Sequence, residues 1–163
     1  MPFTDPIDIL IHEHEAGLTQ LEKLNSAAQY ILRTGFSPEK FGEITEAIQY
    51  IETKIRDHYE KEEKYLFPLL ERHIATTPKV MIDEHRELWK TVQCIRQNVE
   101  DIEEGRIYAS TVKEMLQAAG QLYQLFQSHI AKENMVLFPM ARKLLTPEEY
   151  GFVRQNIIRL SAT

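Results

Sequence analysis

The chain has 163 residues, 43% of them hydrophobic and 27% charged, and its formal net charge is −6. This composition is typical of one soluble globular domain, and the absence of a Lys/Arg stripe argues against nucleic-acid binding. No apolar run approaches the roughly 20 residues of a membrane span, and the N-terminus has no signal-peptide pattern. The single cysteine, Cys94, excludes an intrachain disulfide. We therefore expect a cytoplasmic protein with neither a nucleic-acid nor a membrane partner.

Helix start and stop signals divide the chain into five helical stretches. Proline at a first helical position after Asp, Ser or Thr marks three starts, and capping boxes mark two more. Glycine marks the stops after the first and third helices. The predicted starts are Asp5-Pro6, Ser37-Pro38, Thr77-Pro78, Thr111 with Glu114, and Thr146-Pro147 with Glu149, and the first three helices end near Arg33, His73 and Gly105.

No segment shows the strict alternation of a half-buried strand. Short loops between consecutive helices favour antiparallel neighbours, so the predicted fold is all-α: an up-down-up-down four-helix bundle plus a short C-terminal helix at about 147–160. We expect one domain over 1–163, built from a repeated hairpin at about 5–74 and about 76–145. The apolar side of the last helix either packs across the bundle or supports a homodimer.

Each long helix has one apolar stripe, with members three or four residues apart. The stripes also contain histidine and glutamate. They consist of Ile7, Ile11, His14, Leu18 and Leu21; Ile44, Ile48, Ile51, Ile55, His58, Glu62, Leu66 and Leu69; Ile82, His85, Leu88, Val92, Ile95 and Val99; and Met115, Leu122, Phe126, His129, Glu133, Val136 and Met140.

The polar members of these stripes occur twice, 71 positions apart. In each repeat, a histidine is followed 44 positions later by His-x-x-x-Glu, and Leu-Phe-Pro follows each glutamate. A histidine and a glutamate four residues apart lie on one helix face, one turn from each other. The predicted metal ligands are His14, His58, Glu62, His85, His129 and Glu133.

Four imidazoles and two carboxylates inside a bundle are costly without cations, so we expect two metal ions. If both carboxylates bridge, each ion has two nitrogens and two oxygens. A bridging oxide or hydroxide would add a fifth ligand and leave one octahedral position open. Imidazole with carboxylate suits iron, and also manganese or zinc. Iron is favoured because an open site with many nitrogen ligands is most useful for redox or dioxygen chemistry.

Three other interpretations concern the same residues. Duplication could have copied core histidines and solvated glutamates, because the mixed run at 60–64 must largely face water. His12 competes with His14 but aligns with Asp83 in the repeat, whereas His14 aligns with His85. The prolines after each Leu-Phe, at 68 and 139, either mark a shared ancestral helix end or bend the bundle near the site.

The paired motifs resemble the hemerythrin-like, or HHE cation-binding, domain over about residues 5–145. They are Glu13-His14, His58-x-x-x-Glu62, Glu84-His85 and His129-x-x-x-Glu133, with Leu-Phe-Pro after each glutamate. The resemblance implies a non-haem di-iron centre with the six ligands named above, the glutamates bridging. Oxygen-carrying members have a second histidine one turn after the helix 3 ligand, where this chain has Leu88 and Trp89, and His-x-x-x-x-Asp on helix 4. The symmetric set is more similar to bacterial di-iron proteins of nitric-oxide and oxidative-stress response.

The expected function is therefore to bind or process dioxygen, nitric oxide or peroxide, and the sequence leaves open whether this is catalysis. The alternative is an oxygen or redox sensor, or a module for iron storage and delivery. A ferritin-like oxidase would need Glu-x-x-His on two helices. The residue three before each histidine is apolar here, so that motif is absent.

Overall fold

The computed structural model describes residues 4–161, which form five helical elements and no strand. The predicted all-α bundle with an additional C-terminal helix is confirmed. Within this part of the chain, no helix is both long and apolar enough to cross a bilayer. The elements are α1 (Pro6–Thr34), α2 (38–70), α3 (Thr76–Glu103), α4 (109–144) and α5 (Pro147–Ser161).

Most predicted helix ends agree with the structure. The Asp5 side chain accepts hydrogen bonds from the Ile7 and Asp8 amides, at 2.8 and 3.3 Å, and so caps α1. Gly35 ends α1 with φ 96°, a conformation that favours glycine. The predicted capping box of α5 is formed by reciprocal bonds between Thr146 and Glu149.

Three other predicted boundaries are shifted or wrong. α2 ends at Leu70 rather than near His73, and α3 begins at Thr76, before the predicted Thr77-Pro78. The capping box of Thr111 and Glu114 is wrong, because α4 already begins at Ala109 and has no side-chain cap. Thr111 is therefore the third residue of the helix, and the Glu114 amide that it was predicted to cap lies beyond the first four unpaired amides.

Both helices that contain His-x-x-x-Glu widen into a π-helix at the glutamate. The π segments at these glutamates are Glu62–Leu66 in α2 and Glu133–Leu137 in α4, and each ends directly before a Phe-Pro pair; another π segment, Ile51–Ile55, lies earlier in α2. Proline has no amide hydrogen and collides with the carbonyl four residues earlier, so a widened turn before it relieves that conflict. The two prolines therefore coincide with an altered backbone directly at the site.

The widened turn changes which residues face the core. Leu137 and Phe138 are both buried, whereas Val136, predicted on the inner stripe of α4, is 49% exposed. An extra residue in one turn moves every later side chain around the helix, so a stripe drawn with a period of 3.6 fails beyond Glu133. In α2 the same shift buries Phe67 in place of Leu69.

The core consists of two apolar clusters with a polar layer between them. The larger cluster contains Ile55 and Phe126, one turn before the α2 and α4 histidines, and the smaller contains Leu66 and Leu137, one turn after the glutamates. Val153 and Ile157 of α5 are fully buried in the smaller cluster. The C-terminal helix thus packs against α1 and the Glu62–Leu66 segment of α2, next to the polar layer.

Candidate metal centre

All six predicted side chains converge in the polar layer, where each is at most 4% exposed. They form two groups that share both glutamates, and within each group one ligand atom from every residue lies within 4.8 Å of the others. Each group could hold a metal ion. We name these two candidate sites the first metal position (His14, His58, Glu62 and Glu133) and the second metal position (His85, His129, Glu62 and Glu133).

Within each position the histidines turn the same ring atom toward one another. The Nε2 atoms of His14 and His58 are 2.9 Å apart, and those of His85 and His129 are 3.0 Å apart. α1 and α2 supply one pair, whereas α3 and α4 supply the other. Each antiparallel hairpin therefore places two imidazole nitrogens at one point.

The two glutamates join these points. Glu133 Oε1 lies 2.9 Å from His129 Nε2 and 3.1 Å from His14 Nε2. Glu62 Oε1 lies 3.3 Å from His58 Nε2 and 3.4 Å from His85 Nε2. Because each carboxylate reaches one histidine of each position, the geometry suits two carboxylates that bridge a pair of ions.

The carboxylate oxygens of Glu62 and Glu133 are buried, and none has a hydrogen-bond partner with regular geometry among the described residues. Buried polar atoms are almost always satisfied, and an unpaired buried carboxylate is expensive. Four nitrogen donors and two carboxylates with this deficit fit a site for cations such as iron, manganese or zinc.

Without a cation, the two glutamates cannot ionise independently. Burial and the neighbouring Glu133 carboxylate raise the pKa of Glu62 to about 8. Burial also opposes ionisation of Glu133, but His129, Glu62 and His14 outweigh it and hold the pKa of Glu133 well below its usual range. Like charges this close keep one proton on the pair at neutral pH.

His129 is the imidazole most affected by these acids. Burial lowers its pKa, but Glu133, Glu84 and Glu62 together outweigh burial and raise the pKa to about 10. A cation bound here would replace the protons on Glu62 and His129, because metal ligands must be deprotonated. Cation uptake should therefore release protons.

The imidazole Nδ1 atoms of the α2 and α4 histidines contact carboxylates. His58 Nδ1 lies 2.9 Å from Glu13 Oε1, and His129 Nδ1 lies 2.9 Å from Glu84 Oε1. Such outer carboxylates fix the ring orientation and the tautomer and make the imidazole a better ligand. Glu13 and Glu84 each precede the other histidine of the same position in the sequence.

A lysine holds each of these outer carboxylates. Lys61 Nζ lies 2.6 Å from Glu13 Oε2 and 3.0 Å from Ser161 Oγ, and Lys132 forms an ion pair with Glu84. Burial raises the pKa of Glu13, but His58 and Lys61 outweigh it and lower the pKa overall. The pKa of Glu84 is lowered chiefly by its hydrogen bond with His129.

The remaining two Nδ1 atoms have different partners. His14 Nδ1 lies 2.8 Å from Asn134 Oδ1. His85 Nδ1 has Glu63 Oε2 at 3.4 Å and forms no regular hydrogen bond among the described residues. Asn134 and Glu63 stand at matching places in the two repeats.

Aromatic rings enclose the imidazoles. Phe138 stacks on His14 with ring centroids 5.4 Å apart, and Phe67 stacks on His85 at 5.8 Å. Tyr59 also stacks on His85, with ring centroids 3.8 Å apart, and its hydroxyl is buried without a hydrogen-bond partner among the described residues. Burial and the nearby Glu133 and Glu62 raise its pKa well above the usual value, so the phenol is neutral.

The structure also distinguishes His14 from the competing candidate ligand, His12. The His12 side chain is 62% exposed and lies 3.9 Å from Glu15, outside the two positions.

In the charged run at 60–64, Lys61 is only 7% exposed, although we expected most of that run to face water. The outer pairs Glu13–Lys61 and Glu84–Lys132 could have been found from sequence, because the repeat of 71 residues relates them too.

Comparison with known proteins agrees with this architecture. The chain is 29% identical over 147 residues to the iron-sulfur cluster repair protein YtfE of Salmonella newport, Salmonella agona and Salmonella gallinarum. The match covers 86% of this chain and 67% of each relative. The sequence model of the Hemerythrin HHE cation binding domain matches residues 5–142, so this chain belongs to that family.

Proposed function

We propose that this protein is a di-iron protein that binds or processes dioxygen, nitric oxide or peroxide during oxidative or nitrosative stress. The observation that carries the proposal is the pair of four-residue groups that share Glu62 and Glu133. Each group offers two imidazoles and two carboxylates, so both positions are equipped alike. In this proposal the six predicted residues are the ligands.

The geometry of the site favours two divalent ions over one. The two histidine pairs offer separate sets of nitrogens, and both buried carboxylates, which have no hydrogen-bond partner among the described residues, belong to each set. Glu62 and Glu133 each approach a histidine of both positions, so they would bridge the ions. A bridging oxide or hydroxide stays a prediction from counting ligands.

The burial of the site supports a small ligand. His14, His58, His85 and His129 are 1% to 4% exposed, and phenyl or phenol rings pack against all four. A molecule of two or a few atoms can reach such a centre, whereas a larger substrate would have to displace packed core. Bound iron supplies a Lewis-acidic, redox-active place for such a molecule.

The residues around the six ligands orient the histidine rings and exclude water from them. Glu13 and Glu84 hold the His58 and His129 rings in orientation. Phe67, Phe138 and Tyr59 exclude water from the imidazoles. The donor set suits iron and zinc alike, and iron is favoured because the similar proteins are named for iron-sulfur cluster repair.

The proposal is tested by loading purified protein with ferrous iron without oxygen and then adding dioxygen, nitric oxide or peroxide in separate samples. We expect about two iron ions per chain and a change in visible absorption with at least one of the three. His14→Ala, which should lose about one of the two ions, should reduce the change and alter its spectrum, whereas His12→Ala, two residues away on the same helix, should keep it. Equal responses of the two variants would contradict the proposal.

The same samples distinguish binding from catalysis. Absorption that returns to its starting form when the gas is removed indicates reversible binding. Loss of many equivalents of peroxide or nitric oxide per chain indicates an enzyme. No response to any of the three, from protein with two iron ions, would contradict a role in their chemistry.

A further inference from the structure

The two metal positions have the same ligand types but different charges around them. We propose that Glu63 makes the second metal position the tighter one, because Asn134 stands at the matching place of the first. This inference rests on the proposed di-metal site and adds an order of filling to it. It concerns the residues that face imidazole Nδ1 atoms, not the ligands.

Of the two outer partners at each metal position, one is the same in both positions and the other differs. Glu13 and Glu84 face His58 and His129 at the same distance of 2.9 Å. The other partner of the first position is the Asn134 amide oxygen, 2.8 Å from His14 Nδ1, and that of the second is the Glu63 carboxylate, 3.4 Å from His85 Nδ1. The second position therefore has one more negative charge around it.

The lysines do not cancel this difference. Lys61 at the first position has a side chain only 8% exposed, whereas the Lys132 side chain at the second is 49% exposed. Water screens the more exposed ammonium group more strongly. The positive charge that offsets the outer carboxylate is thus weaker at the second position, which increases the difference that Glu63 creates.

The lengths of the Asn134 and Glu63 contacts indicate whether each residue acts on its histidine by hydrogen bonding or by charge. The Asn134 contact is a normal hydrogen bond, whereas the Glu63 contact at 3.4 Å is too long to be a regular one. Hydrogen bonding falls off steeply with distance, but Coulomb attraction to a dication falls only in proportion to 1/r. Glu63 therefore acts mainly as a charge. The Glu63 side chain is 39% exposed and partly screened, so we expect the lower end of the usual 10- to 100-fold effect of an outer partner.

Two ions that share carboxylates repel each other, so separate binding steps in the unmodified protein would not reveal unequal sites. Single-site proteins avoid this problem. His14→Ala damages the first position and leaves the second, whereas His85→Ala does the reverse. We would titrate each metal-free protein with manganese(II) by calorimetry and check its fold by circular dichroism.

We expect His14→Ala to bind its manganese ion about tenfold more tightly than His85→Ala. Adding Glu63→Gln to the His14→Ala protein should remove that advantage, and adding Asn134→Glu to the His85→Ala protein should improve binding. Glu60→Gln, which removes a carboxylate one turn away on the same helix, is the matched control and should change nothing.

Because both histidine variants could unfold, Glu63→Gln and Glu60→Gln are also compared in the otherwise unmodified chain. There the summed affinity for two ions should fall about tenfold for Glu63→Gln alone. Identical results for Glu63→Gln and Glu60→Gln would overturn this inference and leave the di-metal proposal standing. An unmodified protein that binds no ion would overturn the di-metal proposal itself.

Discussion

The first and second metal positions are alike in the atoms that point inward and unlike in what surrounds them. Each has two imidazole Nε2 atoms about 3 Å apart and an outer glutamate with a lysine behind it. Around the second position, Tyr59 stacks on His85, whereas Ile130 is the matching residue of the other repeat. The bonding geometry within a position tolerates little change, whereas packing around it can vary.

The apolar layer next to the site shows how such differences compensate each other. Gly17 and Leu88 occupy matching places in the repeats. A Cβ on Gly17 would approach Ile55 Cδ1 to 2.7 Å and Phe126 Cζ to 3.0 Å, so the glycine makes room for Phe126. On the other side, Leu88 is 3% exposed in the same cluster. The small Gly17 of the first repeat thus leaves space for the large Phe126 of the second repeat.

The largest expected effect distinguishes shared ligands from unshared ones. If both glutamates bridge, Glu62→Ala and Glu133→Ala should each reduce the bound metal from about two ions per chain to less than one. His14→Ala and His85→Ala should each remove about one ion. Metal analysis of dialysed protein measures this, and equal losses from all four variants would refute sharing.

The next effect tests packing in the layer beside the site. Leu88→Ala removes buried methyl groups and should lower the free energy of unfolding by about 3 kcal/mol. Gly17→Leu, which makes the repeats identical here, should also destabilise, by about 3 kcal/mol, because it forces Ile55 and Phe126 to move. Urea unfolding of metal-free protein checks both. Stabilisation by Gly17→Leu would show that the repeats pack alike.

The outer glutamates should show where the two positions are equivalent. Glu13→Gln and Glu84→Gln each replace a carboxylate that orients a histidine, so each should weaken metal binding about 10- to 100-fold. The two losses should agree within a few fold, because both contacts are 2.9 Å long. Competition with a coloured chelator measures them. If only one of the two variants lost metal affinity, the two positions would differ in their outer glutamates as well.

The smallest effect compares the lysines. Lys61→Met should lower the free energy of unfolding by about 1–2 kcal/mol, because it leaves Glu13 with less compensation, whereas Lys132→Met, half exposed, should cost under about 1 kcal/mol. The pKa of Glu13 is lowered in the folded protein, so the pair stabilises above the unfolded value of 4.5. The cost of Lys61→Met should therefore shrink as the pH falls below about 5. A cost that grows toward acid would contradict the Glu13–Lys61 pairing.

The fold and the convergence of the six side chains could be predicted because they depend on local chemistry and on repetition. The Asp5 cap and the Gly35 stop follow from backbone preferences of single residues. The recurrence of His14, His58 and Glu62 after 71 positions shows which polar residues on apolar stripes belong together.

The remaining features depend on contacts that no single helix contains. Val136 was misplaced because a proline three residues later widens the turn at Glu133, which a fixed period cannot represent. Lys61 was expected in water, and only the packing of α5 places Ser161 over it. The difference between Glu63 and Asn134 gains meaning only when each is seen beside a histidine from another helix.

The most direct test of the central claim is anomalous diffraction at the iron edge from crystals of iron-loaded protein. Two peaks should lie in the bundle interior, one between His14 and His58 and the other between His85 and His129, each within bonding distance of Glu62 and Glu133. A single peak, or iron held at the surface by other residues, would contradict it.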